Sequence, residues 1–130
     1  MSSALRSSLF CLFFAFGLLT PSVHLLAEDS AALPKGDAET GKRLYKRYCR
    51  GCHGEDGQGD GLVFMPHVDN LTRKGYVDLL PDTYLYTAIA KGGIGIGKST
   101  YMPAWEETLS REQIIDIIAH LRSLPLHEKH

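Results

Sequence analysis

The run Cys49-Arg50-Gly51-Cys52-His53 constrains this chain of 130 residues more than any other feature. A CxxCH run is the attachment signature of a c-type haem. Two thiols three positions apart reach the two vinyl groups of one porphyrin and form thioethers, and the imidazole of the next residue then binds the iron. We therefore predict one covalent haem c on Cys49 and Cys52, with His53 as the proximal iron ligand.

Two other uses of paired cysteines fit the sequence less well. A thioredoxin-type CxxC lies in a βαβ setting, whereas the residues before Cys49 have a helical pattern. A zinc site needs about four ligands, usually with a second pair of Cys or His at matched spacing. The chain has neither a second CxxC nor an HxxxH pattern, so haem attachment is the favoured interpretation.

The first 27 residues are predicted to be a secretion signal. Arg6 supplies a positive n-region, and residues 9–19 form an apolar run of ordinary length for the h-region that follows. That run is shorter than the roughly 20 apolar residues of a transmembrane helix. Cleavage fits after Ala27 and also after Ala32, and a retained N-terminal anchor is the alternative. The expected location is the bacterial periplasm or the exterior, with no permanent membrane span after cleavage.

One domain is expected in the remainder of the chain, because about 100 residues are left. Its predicted limits are residues 37–125, after a flexible leader over 28–36 and before a short C-terminal tail over 126–130. Loss of Arg6 leaves 13 basic and 15 acidic residues, a net charge of −2 with histidines neutral. That balance argues against nucleic acid as a partner.

Three helices are predicted, over about residues 38–49, 83–91 and 111–124. Asp37 and Asp82 are expected to cap the first two, and Ser110 begins the third with a capping box completed by Gln113. Gly41 lies inside the first helix, where glycine costs about 1 kcal/mol relative to alanine, so we expect another helix to pack closely there. Glycine-rich loops are predicted over residues 51–75 and 93–105.

Met102 is the predicted distal iron ligand. His and Met together hold the iron of electron-transfer haem proteins, and the thioether raises the reduction potential. A ligand opposite His53 should come from a distant part of the chain, and Pro103 would stiffen the backbone that holds the Met102 sulfur. Met65 is the alternative methionine, and His67 is a candidate only if Met102 does not bind.

Six short segments occur in a characteristic order, at residues 41–45, 49–54, 70–72, 92–93, 102–105 and 118–124. Together they resemble a class I monohaem c-type cytochrome of the bacterial secreted type. The resemblance implies an all-α small cytochrome c fold, with three to four helices wrapped around one covalently bound haem. It also implies that the first and last helices cross near Gly41. The chain departs from the family at His120, where an aromatic residue is usual.

The predicted function is single-electron transfer between redox proteins, one acting as donor and one as acceptor. An iron with both axial positions occupied has no open position for substrate, so the chain is not expected to be an enzyme, and a monomer is favoured. The first alternative is a haem c subunit of a larger periplasmic oxidase or dehydrogenase complex. The second is a ligand-binding or peroxidatic haem protein. Basic residues within 42–50, with Lys91 and Lys98, are candidate charges for steering partners.

Overall fold

The computed structural model describes residues 32–63 and 68–127, and this part of the chain is helical. Its elements are α1 (Ala38–Tyr48), α2 (Arg50–His53), a 3-10 helix (Val77–Leu79), α3 (Asp82–Gly95) and α4 (Arg111–Ser123). No strand occurs within these ranges, and none of the helices is long and apolar enough to cross a membrane. The all-α prediction is confirmed, whereas the predicted signal over residues 1–27 lies outside the described residues.

Helices α1 and α4 begin at the residues that the capping signals indicated. The Thr40 backbone N–H donates to the Asp37 carboxylate at 2.6 Å. In the capping box, the Ser110 N–H donates to Gln113 Oε1 at 2.9 Å, and the Gln113 N–H donates to Ser110 Oγ at 3.3 Å. These bonds satisfy N–H groups that the first turn of a helix leaves without partners.

The two capped helices cross at Gly41, as the family resemblance implied. A Cβ at Gly41 would overlap the backbone carbonyl of Asp116 in α4 and would lie 3.0 Å from the His120 Cβ. The absence of a side chain therefore allows the two backbones to approach closely. One helical turn further along α1, the Tyr45 ring meets the His120 ring edge-on, with centroids 5.2 Å apart.

The hydrophobic core lies where α4 packs against α3 and the 3-10 helix. Its buried members are mostly branched aliphatic residues, namely Val77, Leu85, Ile89, Ala90, Leu109, Ile114, Ile117 and Ile118. The α4 isoleucines Ile117 and Ile118 lie three and four residues after Ile114, so the three lie on one apolar face of the helix. This core carries the side chains that wall the cavity described below.

Three local predictions were wrong. The second helix was expected to end near residue 91, whereas α3 continues to Gly95 across a kink at Gly92. Residues 50–53 form α2, although the glycine-rich sequence predicted that the loop begins at residue 51. Asp82 is the first residue of α3 rather than its cap, because Pro81 occupies the N-cap position. The Asp82 carboxylate instead accepts hydrogen bonds from Arg122 Nε at 2.9 Å and Nη2 at 2.7 Å, which ties the start of α3 to the end of α4.

Packing extends beyond residues 37–125 at both ends of the domain. Leu33, in the segment predicted as a leader, is partly buried against the core, and a Cβ at Gly36 would lie 2.5 Å from the Ile115 carbonyl oxygen. At the other end, the His127 N–H donates to the Thr72 carbonyl at 2.8 Å. Residues 128–130 of the predicted tail lie outside the described residues.

Candidate functional site

A cavity of about 200 Å³ opens in the middle of the domain, and all four predicted site residues line it. Cys49 joins α1 to α2, and Cys52 and His53 lie in the last turn of α2. Met102 reaches the cavity from the loop between α3 and α4 and packs partly buried against the core. Folding therefore brings together groups that are about 50 residues apart in the sequence.

The walls of this cavity are mostly apolar, and several of their residues belong to the core itself. Leu85, Ile89 and Ile117 line it, and so do Tyr48 and Trp105, whose ring centroids lie 5.4 Å apart. Protein interiors are normally close-packed, and an empty cavity in a core destabilises the fold. The apolar lining suits the ring of a bulky apolar group such as a porphyrin.

The pKa and the burial of the His53 imidazole suit an iron ligand. Burial lowers the pKa of its imidazole, opposed by the nearby Asp69 carboxylate. Its Nδ1 is buried and has no hydrogen-bond partner within residues 32–63 and 68–127. Neutral imidazole is the form that binds iron, so the chemistry of His53 fits haem at this position.

Cys49 differs from the reactive cysteine of a redox pair, and no further zinc ligands accompany the two thiols in the described part of the chain. Burial, together with the neighbouring Cys52, raises the pKa of the Cys49 thiol to about 12, whereas the reactive cysteine of a redox CxxC has a lowered pKa. Within the described ranges no group of three or more His, Cys, Asp and Glu side chains is placed to hold a metal ion. Thioether attachment is the remaining use that fits this geometry.

Backbone hydrogen bonds fold the chain after His53 back over α2. The Gly59 N–H donates to the His53 carbonyl at 2.8 Å, and the Val63 N–H donates to the Gly51 carbonyl at 2.8 Å. One side chain joins this set, because the Tyr45 hydroxyl donates to the Gly54 carbonyl at 2.9 Å. No sequence pattern predicted this hydrogen bond of Tyr45, since its partner is a backbone atom nine residues away.

The loop that carries Met102 is held by the glycines of α3. Gly92 has φ 69° and ψ −171°, and a Cβ there would lie 2.5 Å from the Met102 carbonyl oxygen and 2.7 Å from the Pro103 carbonyl carbon. The Gly93 N–H donates to the same Met102 carbonyl at 3.0 Å. In the sequence, these glycines only marked the end of a predicted helix. In the structure, they also contact and hydrogen-bond the backbone of the methionine loop.

A polar cluster made by Asp69, Tyr76 and Lys98 also lines the cavity. The Tyr76 hydroxyl donates to Asp69 Oδ2 at 2.6 Å, and Lys98 Nζ donates to the same oxygen at 3.1 Å and to the Tyr76 oxygen at 2.9 Å. The hydrogen bond from Tyr76 and the nearby Lys98 lower the pKa of Asp69. No sequence motif pointed to this cluster.

The alternative ligands Met65 and His67 lie outside the described residues.

An all-helical domain with a CxxCH turn, a methionine loop and an apolar cavity between them is a c-type cytochrome. Residues 36–121 match the family described as "Cytochrome C oxidase, cbb3-type, subunit III", and the chain belongs to that family. The predicted class and the haem c cofactor are confirmed for this domain.

Relatives and solved structures agree with this assignment. The chain is 31% identical over 88 residues to the cbb3-type cytochrome c oxidase subunit FixP of Bradyrhizobium diazoefficiens, an alignment that covers 68% of this chain and 28% of the relative. It therefore spans less than a third of that relative's length. In a reducing HAO-like protein complex of Kuenenia stuttgartiensis, one chain is 35% identical, with a TM-score of 0.55 and coverage of 70% of this chain and 44% of that one. Cytochrome cL from Hyphomicrobium denitrificans shares the fold at 23% identity, with a TM-score of 0.53 and coverage of 68% and 47%.

Proposed function

We propose that this chain is a periplasmic electron-transfer domain in which His53 and Met102 are the axial ligands of a haem held by Cys49 and Cys52. The observation that carries the proposal is the convergence of these four side chains on one apolar cavity. When bound, haem c supplies a one-electron iron couple whose potential depends on its axial ligands and surroundings. The donor and acceptor are redox proteins.

The residues around the cavity would serve electron transfer in three ways. His53 offers a neutral imidazole, and Met102 offers a thioether from a loop anchored by the Gly93 hydrogen bond. With His53 and Met102 both held to the iron, no open position for substrate would remain, and the haem would supply one-electron exchange with a partner protein. Tyr48 and Trp105 form part of the apolar wall, and apolar surroundings would disfavour the more highly charged oxidised state.

The assignment of the distal ligand is tested by two methionine substitutions in the holoprotein. We expect Met102→Ala to abolish the weak near-infrared band of Fe(III)–thioether bonding and to lower the reduction potential, because the soft sulfur ligand is lost. Met65→Ala is the matched control and should leave both nearly unchanged. Both variants should keep the haem attached to the denatured chain. Loss of the band in Met65→Ala instead would contradict the assignment.

A second candidate function is that of a haem subunit in a larger periplasmic redox complex. It is favoured by the family description and by the relatives, since the FixP protein is named as a cbb3-type oxidase subunit and the Kuenenia structure is a complex. Affinity purification of the tagged chain from its native cells separates the two candidates. Constant stoichiometric recovery of the same partner subunits supports a complex, whereas recovery as a monomer in the periplasmic fraction supports a free carrier.

A further inference from the structure

The hydroxyl of Tyr45 forms a link between α1 and the turn that carries the iron ligand. Tyr45 is 1% exposed, so its hydroxyl has no access to bulk water. Its partner is the carbonyl oxygen of Gly54, which belongs to the residue immediately after His53. A shift of this phenol would therefore move the backbone of the residue next to His53.

The Gly54 carbonyl depends on Tyr45 for a good hydrogen bond. Gly54 is buried and has φ 84° and ψ 163°, a backbone conformation that side-chain-bearing residues rarely adopt. Its carbonyl also accepts from the Gly57 N–H, but at 3.4 Å, whereas the Tyr45 hydroxyl lies at 2.9 Å. The phenol is therefore the stronger of the two donors that hold this unusual backbone in place.

The Tyr45 ring is itself held in place by a contact from α4. The edge of the buried His120 ring lies against it with an interplanar angle of 63°. The close helix crossing at Gly41 holds the backbone of α4 directly against α1. Burial raises the pKa of Tyr45, so that the hydroxyl remains a hydrogen-bond donor at any physiological pH.

We propose that Tyr45 is a positioning residue for the iron, orienting His53 by holding the Gly54 peptide, with His120 as the support behind its ring. This inference rests on the proposed role of His53 as an axial ligand. Tyr45 does not act on the electron directly. Its contribution is to fix the peptide beside the imidazole.

The test is Tyr45→Phe in the holoprotein, which keeps the ring and removes only the donor. We expect a lower reduction potential and shifted g-values of the low-spin Fe(III) in electron paramagnetic resonance, with covalent haem and the thioether band retained. Tyr86→Phe removes a hydroxyl from a tyrosine that does not line the cavity, and Ile114→Val weakens the core away from the turn. Neither control should shift the potential or the g-values.

A second variant covers the case in which Tyr45→Phe yields no holoprotein. His120→Ala keeps the hydroxyl but removes the support, so the same shifts should appear in part. Wild-type potential and g-values in Tyr45→Phe would overturn the inference, as they would in His120→Ala if that variant alone is obtained. A wild-type chain that carries no covalent haem, or that lacks the signature of His/Met ligation, would instead overturn the proposed function itself.

Discussion

Gly92 decides where the methionine loop lies, because its left-handed backbone and missing side chain allow Met102 and Pro103 to pass directly over α3. In Gly92→Ala the new Cβ would overlap that backbone, with a conformational cost of about 1–3 kcal/mol in addition. We expect the loop to move and the Fe(III)–thioether band to be lost, while covalent haem remains.

Gly97→Ala is the matched control for this prediction. Gly97 also has a positive φ, of 70°, but a Cβ there would meet no atom within 4 Å. Its replacement should cost about 1–2 kcal/mol of strain and leave the band intact. A Gly92→Ala variant whose near-infrared spectrum matches that of Gly97→Ala would show that the close approach does not determine ligation.

His120 should make the stability of the domain depend on pH. Burial and the charge of Lys42, with a smaller effect of Lys46 and against that of Glu39, lower the pKa of its imidazole in the folded state. The unfolded chain therefore takes up a proton at a higher pH than the folded chain, and the free energy of unfolding falls as pH falls below about 6.5.

Replacement of His120 by Phe tests this pH dependence, because Phe keeps a ring against Tyr45 without a titratable group. Denaturant unfolding of both holoproteins at pH 7 and pH 5 should show a smaller loss of stability in His120→Phe. Equal losses in the two proteins would show that His120 is not the group that titrates in this range.

Single residues were predictable where a local motif identifies them. The CxxCH spacing predicted both cysteines and His53, and Pro103 with the distance from His53 favoured Met102. The structure places all four at one cavity, and the roles of His53 and Met102 as iron ligands stay predictions. The hydrogen bond of Tyr45 could not be predicted, because its acceptor is a backbone carbonyl placed by the left-handed turn at Gly54. The Asp69–Tyr76–Lys98 cluster joins residues up to 29 positions apart, and no spacing rule predicts such a contact.

The crossing of α1 and α4 depends on Gly41 in the same physical way that the methionine loop depends on Gly92. Gly41→Val should destabilise the holoprotein by about 1–3 kcal/mol or more, because any side chain must displace the α4 backbone at Asp116. Gly51→Ala is the control, since its Cβ would have its nearest neighbour at 3.9 Å. A Gly41→Val protein as stable as wild type in denaturant unfolding would mean that the crossing does not need a glycine.

Helices were predictable where periodicity and caps agreed. The limits of α1 and α4 follow from Asp37 and Ser110, whose side chains bond to the first turns. The start of α3 was misplaced by one residue, because a proline at the N-cap position leaves the acidic residue beside it free to pair with Arg122. Helix α2 was missed because one turn of four residues carries no periodicity.

The surface charges are more evenly balanced than the sequence suggested. Lys46 and Arg50 both pair with Glu55, at 2.5 and 3.3 Å. Lys91 pairs with Glu106 and Lys98 with Asp69 in the same manner. Exposed ion pairs of this kind contribute about 0–1 kcal/mol each to stability, but they cancel charge locally. We therefore expect electrostatic steering of partners to be weaker than the count of basic residues implies.

Glu55 pairs with both Lys46 and Arg50. Its replacement by a neutral residue should leave their positive charges uncompensated. In Glu55→Gln both cations lose their partner near the CxxCH turn, so an anionic oxidant should be attracted more strongly. We expect oxidation of the reduced holoprotein by hexacyanoferrate(III) to be about two-fold faster at low ionic strength, with the difference lost at high salt.

Glu39→Gln makes the same change in net charge in the first turn of α1, at a residue that does not line the cavity. It should accelerate the reaction less than Glu55→Gln, because the charge it removes is not beside the cations of the turn. Equal acceleration by the two variants would show that the net charge of the molecule governs the encounter. A rate insensitive to salt in all three proteins would show that charge does not steer the approach to the cofactor edge.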